Sequence, residues 1–154
     1  MDTITLADLI DTREEQPPVL IAFPGSSTFK VQVRPMGNRH QEFIQQATEP
    51  VWDEALMKKT MVLNQEVYLQ LFGAHVVVGW QGLMVPELRR LVMIADFKKM
   101  RKFAKGEIAF DDEARRILVT WSPLFKTWLQ NVSFNIELLN REREEQLEKK
   151  FWKR

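Results

Sequence analysis

Apolar residues recur along the chain at two different spacings, and the change of spacing predicts where strands give way to helices. Val19-Leu-Ile-Ala-Phe23 is a short apolar run. Thr28-Phe-Lys-Val-Gln-Val-Arg34 alternates, with Phe29, Val31 and Val33 on one side and Lys30, Gln32 and Arg34 on the other. Pro24-Gly-Ser-Ser27 between them has turn composition. The pattern predicts an antiparallel hairpin with one buried and one wet face. Two strands alone are marginal, so it must pack on helices or pair with another chain.

Helical spacing surrounds this hairpin. Thr5-Leu-Ala-Asp8 has the form of a weak capping box, with Leu6, Leu9 and Ile10 on one face of a short helix that ends before Pro17 and Pro18. Phe43, Ile44 and Ala47 predict a helix from about Arg39 to Thr48, stopped by Pro50. Met61, Leu63, Val67, Leu71, Ala74 and Val78 recur at near-helical spacing and predict one long amphipathic helix, in which Gly73 is a modest weakness. Pro86 suits the first turn of a helix carrying Leu88, Leu91, Val92 and Ile94 or Ala95. Glu107–Phe110 reads as extended. Asp111 or Asp112 then caps a helix with Ala114, Ile117, Leu118 and Trp121 on its apolar side. Ser122-Pro123 starts the last helix, whose inner face is Phe125, Trp128, Leu129, Val132, Ile136 and Leu139. With no later glycine or proline it would run about 45 Å, at ~1.5 Å per residue, and project beyond the core.

The chain is organised around Ala74-His-Val-Val-Val-Gly-Trp-Gln-Gly-Leu83. Three consecutive valines favour burial, and Gly79 and Gly82 let the backbone turn on either side of Trp80, with Leu83 following. Gly79, Trp80, Gly82 and Leu83 are therefore expected to form a structural pivot with Trp80 inside. Trp121 and Trp128 are expected in the core as well. The predicted fold class is α+β, mostly α-helical: an N-terminal β-hairpin packed on a helical bundle, with a long C-terminal helix. A single domain spans 1–154, with the short helix and hairpin in 1–36, the helical body in 37–139 and a charged helical tail in 140–154.

Composition narrows the chemistry. At 45% hydrophobic and 28% charged residues the chain lies in the globular range, and its formal net charge of +1 leaves any basic surface to be local. The lack of cysteine excludes disulfides, thiolate catalysis and cysteine-ligated metal. Neither a secretory leader nor a membrane span is apparent, so a cytosolic product is expected.

His40 and His75 lack a second histidine at metal-pair spacing, and the expected roles are a solvated residue for His40 and a packed one for His75. Ser26 and Ser27 stand outside any nucleophile or phosphate-loop pattern and read as turn residues. Glu14-Glu15, Asp111-Asp112 and Glu144-Glu145 are scattered, so no acid–base pair can be assigned. No cofactor and no enzyme activity are expected. Lys98, Lys99, Arg101, Lys102 and Lys105 could grip phosphate, with Phe97, Met100 and Phe103 between them. The competing reading makes those three apolar residues an inward helix face and the cations its wet side. In the polar tail, Leu147, Phe151 and Trp152 are apolar residues in want of a partner: the body of the chain, a second copy, or another protein's groove.

Val78-Gly-Trp-Gln-Gly-Leu83, the stretch Gly106-Glu-Ile-Ala-Phe-Asp-Asp-Glu-Ala-Arg115, and Ser122-Pro-Leu-Phe-Lys-Thr-Trp128 together resemble the layout of tail assembly chaperones and related small tail-module proteins of bacteriophages and prophages. The likeness covers about Asn64 to Glu145. Ala109-Phe110-Asp111 stands where the family pattern has Pro-Phe-Ser, and the basic tail is longer. The resemblance implies a non-enzymatic factor in the bacterial host cytoplasm that binds the tape-measure protein and helps tail-tube proteins assemble. Leu147, Phe151, Trp152 and the hairpin edge are the expected contacts, and self-association remains open. Alternatives are a structural subunit retained in the virion tail and a small nucleic-acid-binding regulator using Lys98 to Lys105, although nucleic acid is not the expected partner.

Overall fold

A computed structural model describes residues 3–152, with side-chain surroundings given through residue 150. The fold is α+β and mostly helical. Strands β1 (Val19–Ala22) and β2 (Lys30–Val33) form the expected antiparallel hairpin, with Ile21 opposite Val31. Val31 and Val33 are fully buried while Lys30 and Gln32 face solvent, as the alternation requires.

The hairpin finds its third strand within the chain. Val77–Gln81 is β5, antiparallel to β2, so the sheet order is β1-β2-β5. The pivot is thus a strand followed by one turn rather than a turn around Trp80. Gly79 lies within the strand opposite Gln32, and the turn falls at Gly82, with φ +72°. A Cβ at Gly82 would stand 2.0 Å from the Thr28 carbonyl oxygen, so both backbone angle and space demand glycine.

Helix α1 (Arg39–Ala47) is where periodicity puts it, but the helix expected from Met61 is not. Thr48–Asp53 (β3) and Lys58–Leu63 (β4) form a second antiparallel hairpin, separate from the first sheet. Helix α2 starts only at Gln65 and ends at Val76, because Asn64 caps it by accepting the Val67 N–H at 3.2 Å. Gly73 is a close-packing site on α2, not merely a weakness. Its missing Cβ would sit 3.1 Å from Val119 of α5 (Asp112–Trp121).

That contact also rotates α5. Leu118 and Val119 are buried, whereas Ile117 is exposed and Trp121 is 70% exposed, so Trp121 does not join the core. The Pro86 helix is shorter than expected: a 3-10 turn at Val85–Glu87 leads into α3 (Leu88–Leu91), and Val92 is already extended. Helix α4 (Phe97–Lys102) buries none of its residues, and Phe97 and Phe103 are half exposed, which removes the expected inward face. The N-terminal helix reduces to one 3-10 turn at Leu6–Asp8 with Leu6, Leu9 and Ile10 exposed.

The expected single last helix is two. Helix α6 (Pro123–Phe134) stops where Asn135 leaves helical angles, and Asn135 then accepts the Leu138 N–H at 3.1 Å inside α7 (Ile136–Trp152). Asparagine supplies the break without glycine or proline. Instead of projecting freely, α7 folds back along β1. Leu139 is buried, and the Gln146 amide donates to the Leu20 carbonyl at 2.7 Å while its oxygen accepts the Leu20 N–H at 3.4 Å. The core lies between the three-stranded sheet and α2, α5 and α6. Its fully buried side chains include Phe29, Phe72, Phe125 and Leu129, each contributing roughly 1.5–3 kcal/mol by burial.

Candidate functional site

Trp80 is buried at the meeting point of three separated stretches. Its indole Nε1 donates to the Ile108 carbonyl at 3.0 Å, which satisfies the one polar atom the ring carries inward. Phe110 meets the indole edge-on at 4.9 Å between centroids, and Phe125 does so at 6.4 Å. Hydrogen bonds tie the same stretches together. Ile108 N–H donates to Leu83 C=O at 2.7 Å, Val85 N–H to Gly106 C=O at 3.0 Å, and Gly82 N–H to the Glu107 carboxylate at 2.6 Å. Leu83 is fully buried. Trp80 and Leu83 are therefore buried in the body, with the indole N–H satisfied by a backbone carbonyl.

The histidines lie elsewhere, and the Glu107 carboxylate at this centre is taken up by the Gly82 N–H. His40, expected in solvent, is half-buried, with Nδ1 2.9 Å from the Tyr68 hydroxyl and its ring edge-on to Phe134. His75 is buried as expected. Its Nε2 faces the Pro35 carbonyl at 3.3 Å, and burial holds its pKa below the usual 6.5. Asp111 accepts the Ala114 N–H at 2.7 Å and caps α5, as its position suggested. Ser26 accepts the Phe29 N–H at 2.9 Å inside the hairpin turn and bonds Glu87. Among the described residues, no group of three or more histidines and acids converges to hold a metal ion. No described helix is long and apolar enough to cross a membrane.

The sequence-derived contact residues fall on separate faces. Lys98, Lys99, Arg101, Lys102 and Lys105 are all exposed on and after α4, started by Asp96 accepting the Lys99 N–H at 3.0 Å. Two cations in this region cover aromatic rings: Arg89 lies 5.5 Å from the Phe97 centroid and Lys102 5.6 Å from that of Phe103. Leu147 is 58% exposed on α7, beside Leu9 and Ile10. The Phe151 and Trp152 side chains lie outside the described residues. Near Leu147, Asp11 bonds Arg13 at 2.6 Å and Arg143 of α7 at 3.2 Å, and these hydrogen bonds, Arg13 foremost, hold its carboxyl well below the usual range. Next to that tie, an open groove of about 530 Å³ runs between the N-terminal segment and α7, floored by Val19, Leu139 and Pro17.

Two surfaces escaped the sequence pattern. The edge of β1, expected to be open, is covered at Leu20 by Gln146. The β3–β4 hairpin is the larger omission, and it shows Val51, Trp52, Leu56, Met57, Met61 and Val62 to solvent. Its signal was the β-branched pair Thr60 and Val62 with basic residues before them, masked by helix-like spacing from Met61 onward. No family model, curated protein or solved structure matches the chain.

Proposed function

We propose that this chain is a non-enzymatic assembly chaperone of phage tail morphogenesis, binding the tape-measure protein while tail-tube subunits assemble around it. One observation carries the reading: the three stretches on which the family resemblance rests are in mutual contact around Trp80. Trp80 comes from the first, Ile108 and Phe110 from the second, and Phe125 from the third. Three separated stretches that match a family pattern would have to meet in a shared fold, and their contact around Trp80 supports the reading. With that centre closed, large apolar side chains remain outside on the β3–β4 hairpin, at Met93 and along α7. Reversible cover of a partner's apolar segments needs many such moderate contacts within a charged rim.

Co-expression with the tape-measure protein of the same phage tests this directly. The reading expects the tape-measure protein to stay soluble and to co-purify with the chain, and expects the chain to be missing from finished particles. An insoluble tape-measure protein in both the presence and absence of the chain would overturn it. A chain found in stoichiometric amount in purified virions would favour the structural tail-subunit alternative.

The α4 surface favours a second reading. Because α4 buries nothing, Lys98, Lys99, Arg101, Lys102 and Lys105 with Phe97 and Phe103 present a basic and aromatic face to solvent. Such a face suits phosphate and stacked bases. Retention on single-stranded DNA or RNA that falls steeply with salt would support it, and absence of retention at low salt would remove it.

A further inference from the structure

The two outer edges of the β3–β4 hairpin are not equivalent. Asn64 N–H donates to Ala47 C=O at 2.8 Å, in register with Thr48 opposite Leu63. Bonding alternates along an antiparallel ladder, so the pairs bonded within the hairpin are Glu49/Val62, Val51/Thr60 and Asp53/Lys58. Thr48, Pro50 and Trp52 then turn their backbone groups outward on β3, while Lys59, Met61 and Leu63 do so on β4. The middle of the β3 edge is a proline, which has no N–H to offer and blocks an incoming strand. The β4 edge has no such block, and no strand among the described residues pairs with it. At its centre Met61 is 66% exposed.

We propose that β4 pairs antiparallel with β4 of a second copy of this chain about a two-fold axis at Met61, joining two hairpins into a four-stranded sheet. One open edge and one blocked edge end growth at two chains, so the assembly closes instead of forming a fibre. Lys59, Met61 and Leu63 all point their backbone groups outward, so an axis at Met61 brings Met61 against Met61 and Lys59 against Leu63, with every outward donor meeting an acceptor.

Charge is consistent with the same register. Thr60 faces Val62, and Lys58 of one copy arrives opposite Asn64 of the other, whose side-chain amide already donates to the Glu49 carboxylate at 3.5 Å. An ammonium group is thereby brought towards a carboxylate at each end of the joint, and no like charges are opposed. An axis at Lys59 would instead set lysine against lysine. The axis stands perpendicular to the sheet, so Pro50, Trp52 and Met61 of both copies share one face and make a continuous apolar stripe. This pairing does not depend on the phage reading.

The test is the mass of the full chain in solution, read by sedimentation equilibrium across a concentration series. Wild type is expected to move from 18.2 kDa towards twice that mass as concentration rises. Met61→Lys and Met61→Glu each place like charges across the axis and are expected to stay monomeric, with circular dichroism unchanged and a melting temperature equal to that of wild type at dilutions where it too is monomeric, because the side chain is exposed. An equimolar mixture of the two variants is expected to recover the doubled mass. A wild type that remains monomeric throughout overturns the proposal and leaves the edge to a strand from a different polypeptide. A Met61→Lys variant that still doubles its mass, or a mixture that fails to, overturns it equally.

Discussion

Gln146 holds Leu20 by both of its backbone groups, donating to the carbonyl at 2.7 Å and accepting from the N–H at 3.4 Å. A side-chain amide thus does for the β1 edge what another strand would do, and it fastens the C-terminal helix to the first strand. Gln146→Ala should cost about 1 kcal/mol, since one of the two bonds is long and each neutral bond is worth roughly 0.5–1.5 kcal/mol. Denaturant midpoints check the loss, and the Leu20 amide should exchange faster with solvent. Unaltered protection at Leu20 would show that α7 does not cover that edge.

Trp80 should be the most costly tryptophan to truncate. Trp80→Ala removes a buried ring and leaves the Ile108 carbonyl without its donor, a loss of about 3–5 kcal/mol. Trp121→Ala, at an exposed position, should stay within about 0.5 kcal/mol of wild type. Urea unfolding of the two variants side by side checks the contrast, and equal losses would refute the assignment of the core.

Gly82→Ala should destabilise more than a backbone preference alone explains. The residue must hold φ +72°, and its new Cβ would collide with the Thr28 carbonyl, whose residue also donates its hydroxyl to Gly82 C=O at 2.8 Å. A loss above about 1 kcal/mol is expected, beyond the usual difference between glycine and alanine. Thermal unfolding at fixed pH measures it.

His75 sets a pH dependence whose sign follows from burial. Its folded pKa lies below the unfolded value of 6.5, so the unfolded chain binds more protons in between. The contribution is complete above pH 6.5 and is lost as pH falls towards the folded pKa. His75→Gln should flatten the stability profile relative to wild type in that window, while the two profiles run parallel above it. Parallel profiles throughout would mean that the imidazole is not held neutral.

Much of the fold was legible in the sequence because local chemistry and burial agree there. The alternation from Thr28 to Arg34, the Asp111 cap and the Ser122-Pro123 helix start all stand where the pattern puts them. What was misread shares one physical cause, namely that periodicity identifies an apolar stripe without saying what covers it. Met61 and Leu63 fit a helical stripe and a strand equally well, and only pairing with β3 decides between them. Trp121 shares a face with Ile117, yet the packing of Val119 against Gly73 turns both outward. The break at Asn135 rests on a single capping side chain, which helix-former composition conceals. The Trp80 centre was readable as an anchor, but its partners Ile108 and Phe110 lie 28 and 30 residues away, a closure that spacing cannot express.

The proposed function divides the labour between a packed centre at Trp80 and contacts made outside it, and Leu147, Phe151 and Trp152 are the residues proposed for binding. The most direct measurement is capture of the tape-measure protein by wild type and by a Phe151→Ala, Trp152→Ala double variant, with the melting temperature of each recorded beside it. The predicted result is an unchanged melting temperature and lost capture. Retained capture, or a melting temperature that collapses with it, would contradict the assignment of those residues to a partner.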